Sequence, residues 1–161
     1  MLKANDIRVD VINSLLEAGS GHSAGSLGMT DIFTILYFNA MRHDPLNPSW
    51  PSRDRLVLSN GHICPVLYAA LAESGYFPVT ELSTLRKLGT RLHGHPHNLA
   101  LPGLEASGGP LAQGTSIACG VAWAFKMDKE SNRVFLMMSD GELEEGQSWE
   151  AIMFAAKYRL D

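Results

Sequence analysis

The sequence predicts an α/β fold, with a mainly parallel sheet flanked by helices. Three observations support it. Two short apolar runs, LVLS at 56–59 and RVFLMMS at 133–139, have the length and composition of buried strands. Around and between them, apolar residues recur at three- and four-residue spacing, the period of a helix with one buried face. Strands that alternate with helices pair in parallel, because parallel neighbours need a crossover connection. By length the 161 residues form one domain, 1–161, and a content of 45% hydrophobic and 19% charged residues is ordinary for a globular protein. The net charge of -4 supplies no basic field, so neither nucleic acid nor a membrane surface is expected as a partner. No apolar run approaches the roughly 18 residues of a membrane span. Cys64 and Cys119 stand far apart and outside any CxxC pair, which fits a reducing cytoplasm.

Taken in order, residues 2–18 read as a helix with Ile7, Val11 and Leu15 on its buried face and Gly19 as the stop. GSGHSAGSLGMT, at 19–30, reads as a loop. From Thr30, TDIFTILYFNAM is apolar nearly all round and predicts a helix buried on most faces. HDPLNPSWPSRDR carries three prolines and reads as an irregular crossing into the first strand. ICPVLYAALAESGYF resumes helical spacing, and TELSTLRKLG predicts a short helix opened by Thr80 and closed by Gly89. Residues 93–110 have no useful period and form a long glycine- and proline-rich loop, a segment type that is usually functional. LAQGTSIACGVAWAFKM predicts a helix with Ile117, Gly120, Val121 and Ala124 on one stripe. After the second strand, Trp149, Ile152, Met153 and Ala156 mark the buried stripe of a last helix. Two strands are few for a sheet, whose average is roughly five or six, so an incomplete domain is expected, one that exposes apolar surface.

Two constellations carry chemistry. Ligands of open parallel sheets bind beyond the carboxyl ends of the strands, and Asp140 and Gly141 stand at that edge, opening the acidic run SDGELEEG. A carboxylate there fits a hard cation such as Mg²⁺ that bridges to phosphate oxygens, with glycine allowing close backbone approach. An Asp-Gly pair is equally a plain turn signal. The second constellation is histidine. His22 and His62 each follow a glycine at a loop or strand end, and His93, His95 and His97 alternate in HGHPH, a spacing that also suits zinc.

In order along the chain, GHSAGSLGMTDI, NPSWPSRDRLVLSNGH, GHP, GGPLAQG and SDGELEEGQSWEA resemble the N-terminal, thiamine diphosphate binding region of transketolase, from about Ile7 onward. The pattern looks closest to transketolases divided into two polypeptides. The resemblance implies a thiamine diphosphate binding fold and transfer of a two-carbon ketol unit from a ketose phosphate to an aldose phosphate, as in the pentose phosphate pathway. It implies thiamine diphosphate and Mg²⁺ as cofactors, with Ca²⁺ or Mn²⁺ as substitutes. Asp140 matches the metal ligand, and Gly141 the residue whose backbone meets the diphosphate. His62 matches a histidine near the diphosphate and the reacting centre, and His22 and His95 match histidines that hydrogen-bond the sugar and take part in proton movement. Gly109 and Leu111 match contacts to the aminopyrimidine and thiazolium, and Glu145 a glutamate linked across a dimer interface to the other active site. Glu142 and Glu144 have no role in the pattern and read as solvated acids.

The sequence departs from the family pattern in two ways. Ser139 stands where the motif usually begins with glycine, and the second magnesium ligand, an asparagine in the following loop, lies past residue 161. The resemblance implies a partner, a C-terminal subunit carrying the aminopyrimidine-binding domain, in a homodimeric or heterotetrameric assembly. The isolated chain is then expected to be inactive. The alternative is a non-catalytic thiamine diphosphate domain that acts as a binding or interaction module.

Overall fold

The computed structural model describes residues 2–160. The described residues form six α-helices and two strands: α1 (Leu2–Ala18), α2 (Ser23–Gly28), α3 (Thr30–Ile35), β1 (Arg55–Leu58), α4 (Cys64–Glu73), α5 (Gln113–Met127), β2 (Val134–Met137) and α6 (Gly146–Tyr158). The strands pair in parallel, Arg55 opposite Val134 and Leu58 opposite Met137. The connection between them contains α4, the long loop and α5, the helical crossover that parallel pairing requires. The last strand residues are followed by Ser59, whose N–H donates to Met137 O at 2.9 Å, so the pairing runs to the carboxyl edge.

The core lies on the β1 and α4 side. Leu56, Val57 and Leu58 are buried, and α4 is buried from Cys64 through Ala72, which makes it the central helix. α1 covers it with Ile7 and Val11, as its four-residue spacing predicts, and with Ala4; the buried position after Val11 is Ser14 rather than Leu15, which is only half-buried. The Ser14 hydroxyl donates to Val11 O at 3.0 Å, so its burial leaves no unmet donor. β2 is less covered than β1: only Met137 of its four residues is buried. A cleft of about 380 Å³ runs beside it, between Phe125, Leu136, Ala155 and Leu160.

Four expectations are corrected. The stretch 19–30 is not all loop, because Ser23–Gly28 forms the short α2, in which the Ser26 hydroxyl donates to His22 O at 2.8 Å. The apolar segment from Thr30 is not buried on most faces. α3 gives way to a π-helical turn over Leu36–Ala40, which buries Leu36 and Tyr37 and leaves Ile32 and Ile35 exposed. At 80–89 no α-helix forms. Val79–Thr84 is 3₁₀, and the hydroxyls of Ser83 and Thr84 donate to the carbonyls of Thr80 (3.0 Å) and Glu81 (2.8 Å), local bonds that compete with helix propagation. The buried stripe assigned to α6 faces outward. Trp149 is 53% and Met153 63% exposed, and α6 buries Ser148 and Ala151 instead; in α5 the buried set is Gly114, Thr115 and Ala118.

Candidate functional site

The carboxyl ends of both strands open onto the glycine-rich loop. After β1, Ser59 and Asn60 lead to Gly61, which begins a single 3₁₀ turn that runs into α4 and places His62 at the edge. A Cβ at Gly61 would stand 3.0 Å from the Gly109 nitrogen and 3.1 Å from the Gly108 Cα, so backbone packs on backbone there. Gly109 has φ +146, a conformation open to glycine and strained for any L side chain. These contacts bring the loop of Gly109 and Leu111 to the end of β1. They also explain why the chain needs glycine at both positions.

Three of the predicted histidines converge. The rings of His22 and His62 meet edge to face with centroids 5.2 Å apart. Partial burial, with the nearby charge of Arg86 and of His22 and His62, holds His95 below the ordinary imidazole range. A neutral His95 at physiological pH is a proton acceptor as well as a donor. HxHxH does not gather on one centre: the His93 and His97 rings pair with each other at 5.8 Å, and among the described residues no three His, Cys, Asp or Glu side chains form a metal-holding group. This corrects the zinc reading of His93, His95 and His97. The HGHPH segment is fixed from below, where the Tyr68 hydroxyl donates to His93 O at 2.9 Å and the Cys64 thiol to Gly94 O at 3.2 Å. Burial pushes that thiol up to about 12, so it serves as a donor and not as a nucleophile.

β2 delivers the acidic turn. Ser139 caps a 3₁₀ turn over Asp140–Glu144 in a capping box, with Glu142 as its partner. Asp140, Gly141 and Glu145 are exposed, and a Cβ at Gly141 would meet nothing within 4 Å. Gly141 is therefore not demanded by the chain's own packing; the space beside it is open to a ligand. Glu145 stands at the N-cap of α6, and Glu144 is exposed as expected. Glu142 is not a solvated acid. It is fully buried, accepting from the hydroxyl of Ser59 and from the N–H of Ala112 (2.8 Å) and of Ser139 (2.7 Å).

Sequence reasoning missed three residues at this edge. Glu142 had a legible signal, the S-x-x-E spacing of Ser139 and Glu142. Asn60, directly before Gly61, is buried with its Oδ1 unpartnered among the described residues. Arg86 lies along the HGHPH loop, so close that a Cβ at Gly94 would stand 2.6 Å from its Nε. No spacing pattern pointed to either.

The whole chain, residues 1–161, matches the sequence profile of the family described as transketolase, thiamine diphosphate binding domain. The chain belongs to this family. Among transketolase relatives, the 6-deoxy-6-sulfo-D-fructose transketolase subunit SqwG of Clostridium sp. (strain MSTE9) is 47% identical over 159 residues, covering 99% of this chain and 58% of that protein. Transketolase of Mus musculus is 43% identical over 162 aligned positions, and the match covers 98% of this chain and 25% of the mouse enzyme. The fold agrees. Transketolase from Campylobacter jejuni superposes with a TM-score of 0.91 at 34% identity over 98% of this chain and 26% of its own, and that from Leishmania mexicana with 0.90 at 33% identity over 95% and 24%. The chain thus spans a little over half of the subunit relative and about a quarter of the full-length transketolases.

The residues present fit a diphosphate cofactor with its cation. Asn60 Oδ1 is an orphaned buried acceptor at the carboxyl edge, Gly61, Gly108 and Gly109 leave the loop free of side chains, and Asp140 offers an exposed carboxylate beside open space. Oxygen ligands of this kind suit a hard cation that neutralises a diphosphate, and bare backbone in the loop suits close approach of a cofactor's rings.

Proposed function

We propose that this chain forms part of a cytoplasmic transketolase that moves a two-carbon ketol unit from a ketose phosphate to an aldose phosphate with thiamine diphosphate and Mg²⁺. The meeting of the His22 and His62 rings at 5.2 Å, with His95 near enough for both to lower its proton affinity, carries the reading, because it gives a proton-handling cluster just past β1, the strand whose end Glu142 ties to the Asp140 turn through Ser59 and Ser139. When bound, thiamine diphosphate would supply the nucleophilic carbon and the electron sink that ketol transfer requires.

The remaining work falls to the chain's own side chains. Asp140 would hold the cation, and the backbone at Gly141 would face the diphosphate. Gly109 and Leu111 would border the cofactor's rings, Leu111 being 39% exposed and so available for contact. His22 and His95 would hydrogen-bond the sugar near its carbonyl and hydroxyls, and a neutral His95 can take a hydroxyl proton and return it. Glu145, exposed at the start of α6, would act across an interface with a second subunit. That assembly would include a C-terminal subunit or domain that binds the aminopyrimidine. The donor in this reading carries a phosphate, and a sulfonated ketose of the kind in the name of the Clostridium subunit is the alternative donor to run beside it.

The test is a coupled assay of ketol transfer with the chain and its complementary subunit, thiamine diphosphate and Mg²⁺. Transfer that disappears with His95→Ala, or on omission of the metal, supports the reading. Cofactor binding without transfer from any ketose would leave a binding module in its place.

A further inference from the structure

The Glu142 carboxylate is 0% exposed and uses both oxygens. Oε1 accepts from the Ser59 hydroxyl and from the Ala112 N–H at 2.8 Å; Oε2 accepts from the Ser139 N–H at 2.7 Å and its hydroxyl at 3.3 Å. The donors belong to three separate segments. Ser59 directly follows β1 and leads to His62, Ala112 directly follows Leu111, and Ser139 directly precedes Asp140. Ala112 has φ 65, a left-handed conformation that a non-glycine residue adopts only when its surroundings fix it. A buried carboxylate is costly unless hydrogen bonds compensate it, and here four donors do so.

We propose that Glu142 is a positioning residue that locks the Asp140–Gly141 turn to the Gly109–Leu111 loop, so that one thiamine diphosphate engages both at once. The inference rests on the cofactor reading above. A diphosphate group alone needs only the acidic turn and its cation. The complete cofactor needs the turn and the loop in fixed relation, and two contacts made by one molecule reinforce each other only when their spacing is held. Glutamine cannot take over. Its NH₂ would face either the Ala112 or the Ser139 backbone N–H, and neither can turn to accept.

The experiment compares Mg²⁺-dependent binding of inorganic diphosphate and of thiamine diphosphate to the full chain assembled with its complementary subunit by calorimetric titration, in the parent, Glu142→Gln and Ser59→Ala, with a thermal melt of each variant chain. Glu142→Gln is expected to cut the preference for thiamine diphosphate over inorganic diphosphate by about tenfold or more, and Ser59→Ala by a smaller factor, because positioning is lost rather than the diphosphate contact. Simple destabilisation would lower both affinities together and keep their ratio. An unchanged ratio in a cooperatively melting Glu142→Gln overturns the inference, and if that variant does not fold, an unchanged ratio in Ser59→Ala overturns it. A parent that binds inorganic diphosphate but not thiamine diphosphate refutes the cofactor reading itself.

Discussion

Asp140 and Glu142 are two residues apart in one acidic run, yet one is exposed and the other has no accessible surface. The difference follows from the turn between them. A 3₁₀ turn capped by Ser139 swings Glu142 back under the strand ends and leaves Asp140 facing outward. Asp140→Asn, which keeps size and removes charge, is expected to weaken Mg²⁺-dependent thiamine diphosphate binding by at least about tenfold, the loss seen when even a supporting group of a metal site is removed. Titration with and without Mg²⁺ reads it, and Glu144→Gln, exposed and free of any assigned role, is the control. Glu145→Gln is expected to bind the cofactor like the parent and to lower transfer only in the assembled enzyme. The sequence singled out Asp140 because a carboxylate at a strand's carboxyl edge has a recognisable use. Glu142 was less so, since nothing local to it reveals that Ser59 and Ala112 arrive from distant parts of the chain.

Elements show the same division. β1, β2, α1 and α5 were readable from period and length, but the outward stripes of α5 and α6 show that period locates an apolar face without naming what covers it. Two carboxylates fasten elements in opposite ways. At Asp54, burial acts to raise the carboxyl, but bonds from Arg42 and Arg133 outweigh it and bring the group down to about 2. Asp54 thereby ties the irregular crossing to the start of β2, with 2.8 Å to Arg42 Nη2 and 2.9 Å to Arg133 Nη2. A lowered carboxyl stabilises the fold above its unfolded value of 3.8, and the contribution is lost as pH falls through about 2. Asp54→Asn should cost about 3 kcal/mol near neutral pH and shrink in effect below about pH 3, as thermal melts across that range would show.

Asp10, on α1, is the reverse case. Burial, then the charge and hydrogen bonding of Glu73 at the end of α4, then Asp6, raise it to about 6 against the opposing pull of Lys3. Its Oδ2 has no partner among the described residues. A raised carboxyl holds its proton more firmly in the folded state, so stability declines as pH rises from 3.8 to about 6 and the cost persists above. Asp10→Asn is therefore expected to raise stability at neutral pH by about 1–2 kcal/mol, after allowance for partial exposure, and to leave it unchanged near pH 3. A melting temperature that does not rise at neutral pH would mean that the α1–α4 contact tolerates the charge.

At the scale of the whole molecule, the candidate site is an open edge. His22, Asp140, Gly141 and Leu111 are all exposed, whereas ketol transfer needs water kept from the reacting carbon. Apolar surface is exposed nearby on α6, where Trp149, Ile152, Met153 and Phe154 follow Glu145 within three turns. An uncovered face of that size favours association, and its position beside Glu145 suits a subunit that would also close the site. The chain alone is therefore expected to self-associate at high concentration and to show no ketol transfer with thiamine diphosphate and Mg²⁺. Adding the complementary subunit should restore activity and disperse the aggregates. Ile152→Lys with Met153→Lys should make the chain monodisperse in sedimentation, leave inorganic diphosphate binding intact, and lower the activity regained on mixing, because the charges would be buried against the partner at a cost of several kcal/mol. Turnover by the purified chain alone, or full reconstitution by the double variant, would show that the α6 face plays no part in completing the site.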